Sequence, residues 1–101
     1  MKKIKKVKEE TIKTNKYECL FDMYVRYGAG INYGIKLVKD LVEDEKINAT
    51  SNNLFDYAIL KKGSVYEALE IINKNGIWAK TNSGYICIEG VSKTKYAKEV
   101  E

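Results

Sequence analysis

Lysine is the side chain best supplied to do chemistry in this chain, and the chemistry it offers is neutralisation of phosphate. Residues 1–16 hold Lys2, Lys3, Lys5, Lys6, Lys8, Lys13 and Lys16 against Glu9 and Glu10. Seven positive and two negative charges give that stretch +5, and because the whole chain is +4 the other 85 residues sum to −1. A basic arm of this kind suits a polyanion such as nucleic acid. The same run also reads as a solvated end with no partner.

Other chemistries lack their parts. With no histidine among 101 residues, a Ser-His-Asp or Cys-His relay has no base, and a zinc site would need four ligands from other residue types. The two cysteines, Cys19 and Cys87, each lie in an apolar run, which predicts buried free thiols in a reducing cytoplasm and no disulfide framework. Glu18, Asp22 and the later carboxylates are spaced as surface charges, so no acid/base pair is expected and the chain is read as no enzyme. Gly28 and Gly30 lack the further glycines, or the Lys-Ser/Thr ending, of a phosphate-cradling loop, and are expected to form a structural turn. No cofactor and no metal are expected. The lysine-rich start has no apolar stretch after it, and no run reaches the length of a membrane span, so no membrane partner is expected.

The elements that would position these residues follow from periodicity. The apolar fraction of 45% and eleven aromatics argue for one folded domain. Over residues 17–26, Tyr17, Cys19, Phe21, Met23 and Val25 alternate with Glu18, Leu20, Asp22, Tyr24 and Arg26, which predicts a strand with the first set on a core face and the second partly covered. After Gly28-Ala29-Gly30 the period changes to about 3.6, with Ile31, Ile35, Val38 and Val42 on one stripe, predicting an amphipathic helix over 32–46. Residues 54–60 (LFDYAIL) read as a strand. Ser64 and Glu67 form a capping-box pattern ahead of Val65, Leu69 and Ile72, predicting a second helix that ends at Asn75-Gly76. Residues 77–80 and 85–89 flank Thr81-Asn82-Ser83-Gly84 and predict a hairpin, with Trp78, Tyr85 and Ile86 closing the core. The resulting expectation is an α+β fold: a small antiparallel sheet with two amphipathic helices packed on one face. Residues 17–101 would form this single domain, with 1–16 as a lysine-rich arm or edge strand.

Phe21-Asp22, followed by Tyr27, Gly28, Gly30 and Ile31 before a helix, resembles a junction in the RecA family of DNA recombinases, phage UvsX-like members included. In that family the last strand of the ATPase core runs through such a pattern into a small C-terminal α+β domain. Two registers of the match are open: the family helix corresponds either to 32–46 or to the helix ending at Asn75, with 33–63 then partly an insertion. The resemblance covers residues 17–96 and lacks the ATPase core, so it implies neither ATP hydrolysis nor strand exchange. It implies a hinge at Tyr27, Gly28, Gly30 and Ile31, and cytoplasmic, sequence-independent binding of double-stranded DNA. Lys74, Lys80, Lys93 and Lys95 around the hairpin would contact phosphate, with the N-terminal lysines Lys2, Lys3, Lys5, Lys6 and Lys8 as an added arm. Neutralising about four phosphates gives a salt slope near −3.6. A recombinase ATPase core is an implied protein partner. Lys13 and Lys16, in a spacing one residue longer than the family's basic pair, are the nearest match to its inter-subunit nucleotide contact.

Two other readings come from the residues themselves. A helix over 64–75 followed by the 77–89 hairpin has the order of a winged-helix DNA-binding protein, although Glu67 and Glu70 would then face the phosphates. A small phage-type protein-interaction or inhibitor module would use Tyr24, Tyr33, Tyr57 and Tyr66 as aromatic anchors.

Overall fold

Alternation at period two governs this chain much further than the helical spacings suggest. The computed structural model describes residues 15–100, and among them there are eight short β-strands and no α-helix. The strands are β1 (Lys16–Cys19), β2 (Met23–Tyr24), β3 (Ile59–Leu60), β4 (Val65–Glu67), β5 (Glu70–Asn73), β6 (Ile77–Lys80), β7 (Tyr85–Glu89) and β8 (Ala97–Val100). They form three small antiparallel sheets, ordered β4-β1-β8, β2-β3 and β5-β6-β7. The α+β expectation with two packed helices is therefore wrong: the fold is built of small antiparallel sheets.

The segment expected to be the second helix shows why. From Ser64 to Leu69 burial alternates strictly, with Ser64, Tyr66 and Ala68 inside and Val65, Glu67 and Leu69 outside. Val65 and Leu69, which would anchor a helical stripe, are 44% and 55% exposed. β-Branched and aromatic residues fit a pleated surface, and here backbone partners are available on both sides of the switch. β4 pairs with β1, Ala68 N–H donates to Asn15 O at 2.8 Å, and Leu69 N–H donates to Lys80 O at 2.7 Å as the chain passes into β5. One bent ribbon thus begins in one sheet and ends in another, a way of turning a corner round a core.

The other expected helix, over 32–46, is an extended stretch with two 3₁₀ turns, Val38–Asp40 and Glu43–Asn48. Its backbone groups are taken up by neighbours: Lys36 N–H donates to Val25 O at 2.8 Å, and Val38 N–H to Asp56 O at 2.9 Å. The Asp40 carboxylate accepts the Leu37 N–H at 3.1 Å, a local bond that stabilises a turn in place of a helix. That bond is the main cause holding the Asp40 carboxyl below its ordinary range. Of the expected strand 54–60 only Ile59–Leu60 is extended in a sheet, because the Asn53–Asp56 region closes a turn through Asn53, Ser51 and Asp56. The strand expected over 17–26 is broken into β1 and β2.

The hairpin over 77–89 forms as expected. Its turn is closed by Thr81, whose N–H and hydroxyl both donate to Gly84 O at 2.8 Å. Ser83, 2% exposed, accepts the Val42 N–H at 3.0 Å and ties this turn to the 3₁₀ segment. One core joins the sheets through Cys19, Val25, Val38, Leu41, Leu60, Tyr66, Ile86 and Ile88, and a second, smaller cluster is built on Ala29, Trp78 and Cys87. β1 lies between β4 and β8, with Lys16 opposite Val100 and Cys19 opposite Ala97. No helix among the described residues is long and apolar enough to cross a membrane.

Candidate binding groove

The glycine-rich stretch expected to be a hinge into a helix is a closed loop. Tyr27 N–H donates to Gly34 O at 3.0 Å, and inside that closure Tyr33 N–H donates to Gly30 O at 3.2 Å. The Arg26 guanidinium donates to Ile31 O at 3.2 Å and Tyr33 O at 2.8 Å, which pins the loop tip to its base. Glycine is needed at position 28 because any Cβ there would meet the Tyr33 ring at 2.6 Å. The helix that the recombinase resemblance implies after Gly30 is absent, and Tyr27 and Ile31 are exposed.

A second turn faces this loop. Lys74-Asn75-Gly76 connects β5 to β6, with Asn75 at φ 56° and Gly76 at φ 96°. Asn tolerates that left-handed region better than most residues, and Gly adopts it freely. The Asn75 side-chain amide donates to Ala29 O at 3.2 Å, so the turn holds the loop from the other side. A third turn follows β7: Gly90 N–H donates to Thr94 O and Lys93 N–H to Gly90 O, both at 2.9 Å.

Between these three segments lies a groove of about 510 Å³. Trp78, Cys87, Met23 and Tyr96 line it, and Ile31 from one loop and Val91 from another project at its edges, 81% and 76% exposed. Tyr24 and Arg26 line it too, with the guanidinium carbon 5.4 Å from the centre of the Tyr24 ring. Phe21 meets Tyr96 edge to face at 5.9 Å. Asp22 is the one carboxylate in the lining, and its Oδ1 already accepts the Lys62 N–H at 2.8 Å. An apolar, aromatic trough with a few polar groups, held open by bonds among its own loops, is the kind of site that recognises a ligand with little reorganisation.

Of the lysines expected at phosphate, Lys74 is in the β5–β6 turn and Lys93 and Lys95 are in the turn after β7. These three lie at the same end of the β5-β6-β7 sheet, where Ile77 pairs with Glu89. Lys80 is at the opposite end beside Tyr85, three residues along the strand or about 10 Å away. Lys95 is paired to Glu89 at 3.5 Å. Lys16 begins β1, while Lys2, Lys3, Lys5, Lys6, Lys8 and Lys13 lie outside the described residues. Without a helix over 64–75 the winged-helix reading loses its recognition helix. Of the four tyrosines offered as anchors, Tyr24, Tyr33 and Tyr57 are exposed, but Tyr66 is core, 2% exposed with its hydroxyl unpartnered among the described residues.

Cys19 and Cys87 are free and buried. Burial, reinforced by Glu45, Asp22 and Glu18, pushes the Cys19 thiol up to about 12, and burial also raises Cys87, so neither has the character of a nucleophile. No group of three or more His, Cys, Asp or Glu among the described residues could hold a metal ion.

In sequence, Trp78 reads as core, Asn75-Gly76 as a helix end and Ile31 as part of a hinge and a helical stripe, so none of them announces a groove. Val91 is the sharper signal, a large apolar residue beside Gly90 at the start of a polar segment. Compared with known proteins, the chain matches no family model, no curated protein and no solved structure.

Proposed function

We propose that this chain is a non-enzymatic recognition module that binds an extended segment of a protein partner in the groove between the 27–34 loop, the 74–76 turn and the turn after β7. The observation that carries this reading is the pair Ile31 and Val91, large apolar side chains left exposed in the lining of an aromatic trough, two of whose three segments, the 27–34 loop and the 74–76 turn, are bonded to each other. Exposed apolar groups gathered round a concave site mark binding surfaces, whereas single ones scattered over a surface mark nothing. Extended peptides suit such troughs because aromatic walls can take alternate side chains of the bound chain, which has to offset the entropy it loses on docking.

Selection of a displayed library of random dodecapeptides on the full chain tests the proposal. Groove-dependent binders should be recovered, and Val91→Asp or Ile31→Asp should abolish their binding. Both positions are exposed, so neither change should disturb the fold, which thermal melting would check. Binders unaffected by both substitutions, or none at all, would sink the reading.

Sequence-independent DNA binding is a second reading, favoured by the gathering of Lys74, Lys93 and Lys95 at one end of the sheet. Titration with random duplex DNA at two salt concentrations separates the two. DNA bound through these lysines should respond to their neutralisation and be indifferent to Val91→Asp.

A further inference from the structure

We infer that the segment taken by the groove is acidic, with aspartate or glutamate flanking its apolar anchors; this rests on the peptide-binding reading above and adds the partner's charge to it. The argument is the balance of charge around the trough. Among its lining residues the single carboxylate is Asp22, half engaged by the Lys62 backbone. Against it stand Arg26 in the lining, Lys74 next to Asn75, and Lys93 next to Ser92. None of these three cations is ion-paired with a carboxylate among the described residues. Arg26 donates only to neutral carbonyl oxygens, which bind the guanidinium without cancelling its charge. Lys95, the remaining cation of the neighbouring turn, is the one already matched, by Glu89.

The loop across from these lysines contributes no opposing charge. Residues 27–34 read YGAGINYG and contain neither acid nor base. A basic partner would therefore find one half-used carboxylate among like charges, while an acidic one would find Arg26, Lys74 and Lys93 without a carboxylate partner among the described residues. Charge complementarity of this kind sets partner choice and association rate while the apolar contacts hold the complex.

The test uses the dodecapeptide selection at low ionic strength on the full chain, with a double variant, Lys74→Glu and Lys93→Asn. Asn is the replacement at 93 because that residue has φ 74°. The expected result is enrichment of Asp and Glu beside aliphatic or aromatic residues. Affinity of those peptides should fall about tenfold in the double variant, as is typical for rim charges acting together. Recovery of neutral or basic peptides that still require Val91 would overturn the acidic partner and leave the groove reading intact. Failure of any peptide to depend on Val91 would remove both. Duplex DNA lost in the double variant but unaffected by Val91→Asp, with no acidic peptides enriched, would overturn the inference in favour of phosphate.

Discussion

The Trp78 indole N–H donates to the Asn75 carbonyl oxygen at 2.8 Å, so the floor of the groove grips the backbone of its own rim. The same Asn75 reaches across with its side chain to Ala29, which makes one residue the joint between β6, the β5–β6 turn and the 27–34 loop. Asn75→Ala loses the amide bond and also the short polar side chain whose local hydrogen bonding lets Asn tolerate φ 56° better than Ala does. The expected cost is about 2 kcal/mol, roughly half from each source. Asn75→Gly loses the bond but relieves the backbone, and should cost about 1 kcal/mol or less. Urea unfolding of the two variants checks the order; equal losses would mean that the backbone angle contributes nothing.

Gly76 and Gly63 separate strain from space. Both have positive φ, 96° and 93°, but a Cβ at Gly76 would stand 2.5 Å from Glu89 O, whereas one at Gly63 meets nothing within 4 Å. Gly63→Ala should cost only the backbone term, about 1 kcal/mol. Gly76→Ala should cost clearly more, about 3 kcal/mol or above, because a strand carbonyl cannot step aside as a flexible side chain can. Thermal or urea denaturation reads the difference.

Glu45 makes stability depend on pH. Burial is the main cause raising its carboxyl above the ordinary 4.5, a hydrogen bond from Asn48 opposes it, and one carboxylate oxygen is buried without a partner among the described residues. A folded-state value above the unfolded one means that ionisation costs stability. The cost is absent well below pH 4.5, appears as the unfolded chain ionises, and is complete once pH exceeds the raised folded value. Glu45→Gln should therefore be more stable than the parent at neutral pH, with the gap closing in acid. A gap that is constant with pH would show that the charge is not its cause.

The thiols should be silent in the folded protein. With Cys19 pushed up to about 12 and Cys87 raised by burial, almost no thiolate exists near neutral pH. A chromogenic disulfide reagent should label both only after denaturant is added. Rapid labelling of Cys87 in native buffer would mean that the groove floor opens on its own.

The Thr81–Gly84 hairpin was legible because its turn chemistry is local: four residues close it through their own bonds. Ser64–Asn75 was not, because two periods coexist there. Val65, Leu69 and Ile72 satisfy helical spacing, while Tyr66 and Ala68 satisfy a strand, and the choice was made by β1 and β6, partners distant in sequence. The same holds for 32–46, whose backbone bonds go to Val25 and Asp56. The groove was hidden for a related reason. Ile31, Asn75, Trp78, Val91 and Tyr96 come from separate stretches of the chain, and sheet pairing together with the Asn75–Ala29 bond brings them together.

Because β1 and β8 run antiparallel with Lys16 opposite Val100, the two places where the described chain enters and leaves the fold are neighbours. Such a body can be spliced into a loop of a host protein, or have its ends fused by a short linker and be reopened at the exposed Gly63 turn, without stretching any strand. The groove's lining, from Asp22 to Tyr96, lies wholly between those two strands in sequence, so grafting the unit elsewhere would carry the groove along with it.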